Sequence, residues 1–561
     1  MMTKDQKQKT HASRIAIERI YINMRHLFNR GKYKPTGVSG ESLMQSLLVL
    51  QPEIYGSIAH PEKVELAGLL YILERLPDGI EECRFVKLIG REGFQKIGRP
   101  AIVPPKRRRN CYRIDEDRMY VEMTRGRSDI YDILTHLTFM YNESEKIKNK
   151  CIDSKNRLLG DWLKLEEIVT KEENDEEIDE PMAIVYLSNI LGRTVQEVSE
   201  AVEKFKNSKV KNSLFHITYW LGQKAIRDSL HEEDREISFS AELREIVGQH
   251  VYGEQWSQKI KRLLDRKGWI DRPIHIISAN LHSFQNTLYG FALPETSEYE
   301  RIEQLAEVTA RPDSKQLNSD IKAFALSNGM YELEDESGTN LTVQVVDTKH
   351  LGKFRNIFGL EGQNDDAPIL LIMDYAFGEQ AYECMDELLK PYEEDEGEIH
   401  YLNIQSITIM GKAGILSGDK GDVMLPSAHV FEGTGDNYPF ENLLSADDFK
   451  DSNLDIYHGT MVTVLGTSLQ NKDVLHHFMT STWNAVGLEM EGAHYQKAIQ
   501  SAAKIRKSIS EDIKVMYAYY ASDNPLKTGN TLASGSLGAE GIVPTYLITV
   551  KVMEKILSLT Q

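Results

Sequence analysis

The stretch IQSITIMGKAGILSGDKGDVMLPSAHVFEGTGDNYPFEN (404–442) decides the class of fold. It opens on a β-branched run, IQSITIMG (404–411), reaches the small-residue turn Gly411-Lys412-Ala413-Gly414, and enters a second run, GDVMLPSAHV (421–430). Continuous apolar runs of this length mark strands buried on both faces. Working outward, ILLIMDY (369–375), GTMVTVLG (459–466), NAVGLEME (484–491) and KVMYAYYAS (514–522) repeat the pattern. Helical periodicity separates several of them, in EQAYECMDELLK (379–390), KDVLHHFMTST (472–482) and GAHYQKAIQSAAKIRKS (492–508), and a last helix is expected in GIVPTYLITVKVMEKILSL (541–559). Strands interleaved with helices predict an α/β fold, a mixed sheet covered by helices. Ligands of such sheets collect at the carboxyl ends of strands, so motifs there carry the most weight.

Upstream, PIHIISA (273–279) and LTVQVVDT (341–348) read as further strands, separated by the polar NLHSFQNTLYGF (280–291). From about residue 12 to 230 the pattern is helical, as in ELAGLLYILERL (65–76) and SDIYDILTHLTFMYNESEKIK (128–148), with apolar residues three and four apart. Three regions are therefore expected. They are a mainly α-helical region of unassigned role over 1–230, an intermediate α/β segment over 231–365 that either stands apart or joins the next, and an α/β catalytic domain over 366–561. The acidic KEENDEEIDEPM (171–182) reads as a solvated linker or a helix start. PPKRRRNCYR (104–113) is the strongest basic cluster and reads either as an exposed loop or as a grip on phosphate, a nucleotide effector or nucleic acid.

The chain has 561 residues, 41% hydrophobic and 27% charged, with a net charge of −19. That charge argues against a general nucleic-acid binder, which needs an excess of Lys and Arg. Four scattered cysteines offer neither a disulfide framework nor a zinc site, and the polar N-terminus lacks the apolar core of a signal peptide. With no membrane span in view, the expected location is the cytoplasm.

Four strand-end motifs offer chemistry. The turn at Gly411 and Lys412 lets backbone approach a ligand, or is only a tight turn. HVFEGTGDNYPFEN (429–442) brings Glu432, Phe431, Tyr438 and Phe440 together, a loop that flanks a planar base or packs on its own aromatics. In VGLEMEGAHY (486–495), Glu489 and Glu491 bracket Met490. One carboxylate can accept two hydroxyls of a ribose diol, while a helix cap is the competing reading. In YYASDNPLKTGNT (519–531), Asp523 is placed to protonate a departing purine nitrogen if burial raises its pKa, or else starts a turn before Pro525.

Taken in order, GKAG, EGTGDNYP, LEMEG and SDNPL resemble the nucleoside phosphorylase superfamily over about residues 366–561, and the extended match is nearest to bacterial AMP nucleosidases. The resemblance implies that Met490 packs under the sugar, that Glu491 grips its hydroxyls and that Asp523 is the general acid. It also implies a water-activating glutamate just after the first strand, a role for which Glu379 is the candidate. Gly411, Lys412, Glu432 and Tyr438 are the further substrate-binding candidates, with Lys412 and Lys527 available to a 5′-phosphate. Lys412 departs from the small hydroxyl residue of the wider family. The implied activity is hydrolysis of the N-glycosidic bond of an AMP-like purine nucleotide to free base and ribose 5-phosphate, without cofactor or metal, by a homo-oligomer. Phosphorolysis of a purine nucleoside and a non-catalytic nucleotide sensor are the alternatives.

Overall fold

The computed structural model describes residues 4–94, 98–231, 233–362, 366–393, 397–527 and 541–559, so residues 528–531 of the last motif lie outside the described residues. The chain divides into two compact units, Met1–Gln249 with Ser468–Val474, and His250–Thr467 with Leu475–Gln561.

The first unit is mainly helical, as expected, but it also holds a five-stranded sheet that periodicity did not reveal. Its strands are β1 (Lys32–Tyr33), β2 (Phe85–Ile89), β3 (Cys111–Arg113), β4 (Arg118–Glu122) and β5 (Glu236–Phe239), in the order β1-β5-β2-β4-β3. The strands are two to five residues long, too short to leave a clear period-two signal. The acidic stretch combines both of its readings. One helix ends at Glu173, and Asp179 then caps the helix Glu180–Leu191 by accepting from the Met182 amide at 3.2 Å, with proline in the first turn.

Part of the basic cluster folds inward, while Lys106 and Arg108 stay exposed. Arg107 donates Nε and Nη2 to the Asp132 carboxylate at 2.9 and 2.8 Å. Arg109, with 3% exposure, bonds Asp129 and Asp132 at 2.9 and 2.5 Å. Arg113 pairs with Glu82 and Lys106 with Glu74. Burial favours protonation of Asp132, yet Arg107 and His136 outweigh it and hold the carboxyl well below its usual range. Arg107 and Arg109 brace the helix Gly126–Cys151, which carries both aspartates.

The second unit is built on a mixed sheet. Its strands are β6 (Ile274–Ser278), β7 (Met330–Leu333), β8 (Val343–Asp347), β9 (Ile369–Met373), β12 (Ile404–Ile415), β13 (Val423–Phe431), β14 (Asn437–Pro439), β15 (Ile456–Thr463), β16 (Ala485–Glu489) and β17 (Lys514–Asp523), while β10 (Tyr392–Glu393) and β11 (Ile399–His400) form a separate ribbon. The order is β14-β13-β15-β16-β12-β6-β9-β8-β7, with β17 pairing both β12 and β13. Strands from residues 274–347 thus share one sheet with those after 366, whereas the start of the intermediate segment, up to Gln249 and including β5, belongs to the first unit.

Every residue of β6, β8, β9 and β16 is buried, which suits their mostly apolar sequences and the unbroken apolar run of β9. Alternate residues of β9 enter different cores. Ile369, Leu371 and Met373 join one cluster, and Leu370 and Ile372 the other. This is the period-two geometry of a sheet covered on both faces, and each fully buried Ile or Leu contributes roughly 1.5–3 kcal/mol. Two local expectations change. The GKAG segment is not a turn, because β12 runs on through it to Ile415 with a register shift at Ala413/Gly414. The polar stretch after β6 is the helix Leu281–Tyr289, capped by Asn280. No described helix is long and apolar enough to cross a membrane.

Candidate active site

The candidate residues lie on neighbouring strands. On β12, Gly414 is registered with Asp523 of β17 on one side and with Leu488 of β16 on the other. A Cβ on Gly414 would come within 2.8 Å of Leu488, so the glycine is what lets these strands close. With strands about 4.8 Å apart, the backbones of Asp523 and Leu488 stand about 10 Å apart across β12. The strand ends that carry the general-acid candidate and the sugar-binding candidate thus flank the same strand, β12.

Asp523 is 6% exposed. Its Oδ1 accepts from the Ser522 hydroxyl at 2.5 Å, and its Oδ2 is buried without a hydrogen-bond partner. Burial raises its pKa, against opposing effects of Ser522, Lys412 and Lys420. A buried carboxyl with one bare oxygen is costly as an anion and cheap as an acid. Asn524 braces the neighbouring loop by donating to the Gly418 carbonyl at 3.0 Å.

Glu489 and Glu491 do not point together, because the strand stops at Glu489. Glu489 turns into the helix start at Gly492 and accepts from the Thr463 hydroxyl and the Glu491 amide, both at 2.5 Å, and from the Gly492 amide. The capping reading falls to one residue of the motif. Glu489 is the cap. Glu491 is half-buried and reaches the Gly378 amide, which donates to its Oε1 at 2.9 Å. Gly378 has φ +54°, a conformation that favours glycine. Burial first, then the charge of Glu489, pushes the Glu491 pKa up to about 8; burial takes Glu489 to about 7. Met490 is buried between them.

Lys412 is exposed and has no hydrogen bond or ion pair among the described residues, yet its charge opposes the upward shifts of both Glu491 and Asp523. Lys527, by contrast, is paired with Asp419. Gly411 is buried and lies against the Tyr375 ring.

Glu379 stands half-buried at the start of the helix Gln380–Leu388, next to Gly378. The strand before it is the fourth of this unit and not the first. The first is β6, which runs into Ala279-Asn280 with no carboxylate. Glu379 therefore loses the strand-order argument and keeps only its nearness to Glu491 through Gly378.

The EGTGDNYP loop splits. Tyr438, Phe431 and His494 form a half-buried row, with ring centroids 6.0 and 4.8 Å apart. Phe440 instead stacks on buried His429 at 5.3 Å and contacts Tyr517 at 4.5 Å, so it is core. Glu432 is 2% exposed, and neither carboxyl oxygen has a hydrogen-bond partner. Burial pushes its pKa up to about 8, with the Leu465 amide opposing. His429 bonds the Tyr519 hydroxyl at 3.1 Å through Nε2, and burial lowers its pKa to about 3. Gly492 packs so closely on this ring that a Cβ would overlap it. Thr463 and Gly378 escaped the sequence reading, because a lone threonine at a strand end and a lone glycine before a helix carry no pattern.

No curated protein matches the chain. Among solved structures, the 5′-methylthioadenosine/S-adenosylhomocysteine nucleosidase of Campylobacter jejuni is similar over 50% of this chain and 97% of that one, at 11% identity and a TM-score of 0.31. The futalosine hydrolase of Helicobacter pylori is similar over 51% and 97%, at 11% identity and a TM-score of 0.31. The 5′-methylthioadenosine nucleosidase of Arabidopsis thaliana covers 52% and 96%, at 14% identity and a TM-score of 0.29. The model of one family matches residues 41–310 and 304–558, and the chain accordingly belongs to the family described as "Family of unknown function (DUF6909)".

Proposed function

We propose that the second unit hydrolyses the N-glycosidic bond of a purine nucleotide of the AMP type, releasing free base and ribose 5-phosphate. One observation carries this reading. Asp523, a buried carboxyl with a bare oxygen, ends a strand paired with β12, and the charge of Lys412 on β12 acts both on it and on Glu491, whose Oε1 takes the Gly378 amide. Two carboxyls in opposite roles suit glycoside cleavage, where one, here Asp523, gives a proton and another, for which Glu379 is the candidate, stays a base.

In this mechanism Glu491 accepts the ribose hydroxyls and Met490 supports the sugar. Asp523 gives its proton to the base at N7 as the C1′–N9 bonding pair moves onto the purine. Water attacks C1′ and loses its proton to a nearby base, for which Glu379 is the candidate. Gly411, Glu432 and Tyr438 complete the proposed substrate contacts, and Lys412 is the cation available to a phosphate group. The homo-oligomer belongs to the same proposal and rests on the resemblance of the four motifs, while the cytoplasmic location is proposed from the scattered cysteines.

Lys412 also favours a second reading. An unpaired ammonium beside a carbon that gains positive charge works against the reaction unless an anion lies between them. Inorganic phosphate as the nucleophile supplies one. The test is release of base from AMP, adenosine, GMP and inosine, with and without phosphate. Release from AMP that is indifferent to phosphate is the expected result, phosphate-dependent release from nucleosides selects phosphorolysis, and no release from any substrate refutes both.

A further inference from the structure

The sugar-binding candidate is aimed by residues that lie outside its own side-chain contacts. Thr463, the last residue of β15, is fully buried. Its hydroxyl donates to Glu489 Oε1 at 2.5 Å and accepts from the Ala493 amide at 3.0 Å. The other Glu489 oxygen takes the Glu491 and Gly492 amides. One hydroxyl and one carboxylate thus satisfy three consecutive amides at the start of the helix Gly492–Gln500, a place where helices leave amides without partners. The chain from 489 to 493 is tied to the end of β15, and no tie uses the Glu491 side chain. That side chain leaves the turn in a fixed direction, with one oxygen on Gly378.

We propose that Thr463, acting through Glu489, is a positioning residue that aims Glu491 at the two hydroxyls of a ribosyl ligand. The proposal rests on the N-glycosidase reading and adds to it the device that sets the sugar grip. A threonine hydroxyl fits the place because it is both donor and acceptor, on a β-branched side chain that holds few rotamers. Valine has nearly the same shape and neither capacity. It leaves the Ala493 amide without a partner and frees Glu489 to shift.

The test compares Thr463→Val and Thr463→Ser in the full chain. Binding of adenosine and of 2′,3′-dideoxyadenosine is measured by calorimetry, and base release from AMP is followed in parallel. Thr463→Val is expected to weaken adenosine binding and to lower kcat/KM by about ten- to a hundredfold, while binding of the dideoxy analogue stays near wild type. Thr463→Ser is expected to recover most of both. Equal weakening for the two compounds, no weakening at all, or a serine variant as impaired as valine overturns the proposal. A wild type that binds neither compound and frees no base removes the N-glycosidase reading, and the positioning role with it.

Discussion

Two sets of charged residues, one in each unit, behave oppositely in the structure. The arginines of 104–113 meet carboxylates: Arg107 and Arg109 lie on Asp129 and Asp132, Arg113 on Glu82 and Lys106 on Glu74. The acids at the carboxyl ends of β13 and β17 meet much less. Asp523 keeps one bare oxygen and Glu432 keeps two, all of them buried. The first arrangement pairs its buried charges within the protein, with Arg109 Nη1 alone among the buried atoms of these pairs left without a hydrogen bond. The second holds polar atoms out of water with no protein partner, a costly state that persists where a ligand or a proton completes it. Charge density in a sequence does not separate these cases. Local satisfaction does.

The comparison can be broken at several points, the largest expected effects first. Asp132→Ala removes the carboxylate shared by Arg107 and Arg109, and is expected to destabilise the first unit by about 3–5 kcal/mol, measurable by denaturant unfolding. Wild-type-like unfolding means the arginines are not braced as described.

Glu432→Gln tests the other half. The folded-state pKa of about 8 lies above the ordinary 4.5, so its protonated form is the one that folding favours. Its contribution to stability is intact below pH 4.5 and is lost as pH rises through about 8. Glutamine carries no charge, so the variant is expected to lose less stability than wild type in thermal melts between pH 5 and 9. Parallel losses contradict a buried, unpartnered carboxyl. The smallest effect is expected for Lys106→Ala, whose ion pair with Glu74 is open to solvent on the lysine side and is worth less than about 1 kcal/mol.

Much of this was legible in the sequence because the physics is local. Buried strands write continuous apolar runs, and β9, β12, β13, β16 and β17 were found within a few residues of their true bounds. The strand ends carrying Asp523 and Glu491 were legible for the same reason. What failed was relational. Gly411 to Gly414 look like a turn, but pairing with β17 keeps them extended. Glu379 was placed by counting from the wrong strand, since the helical stretch and β7 hairpin after β6 disguise where the sheet begins. The inward turn of Arg107 and Arg109 depends on Asp129 and Asp132 one helical turn apart, and only the fold brings loop and helix together. Glu489 and Glu491 share a motif, and their different partners, the helix-start amides for one and the Gly378 amide for the other, follow from where β16 stops.

The central claim is tested most directly by following free adenine released from AMP by wild type and by Asp523→Asn. Asparagine keeps the shape and cannot give up a proton as a carboxylic acid does. The account predicts release by wild type and a fall of about a hundredfold or more in the variant, with folding unchanged. Equal release by the two proteins would contradict it.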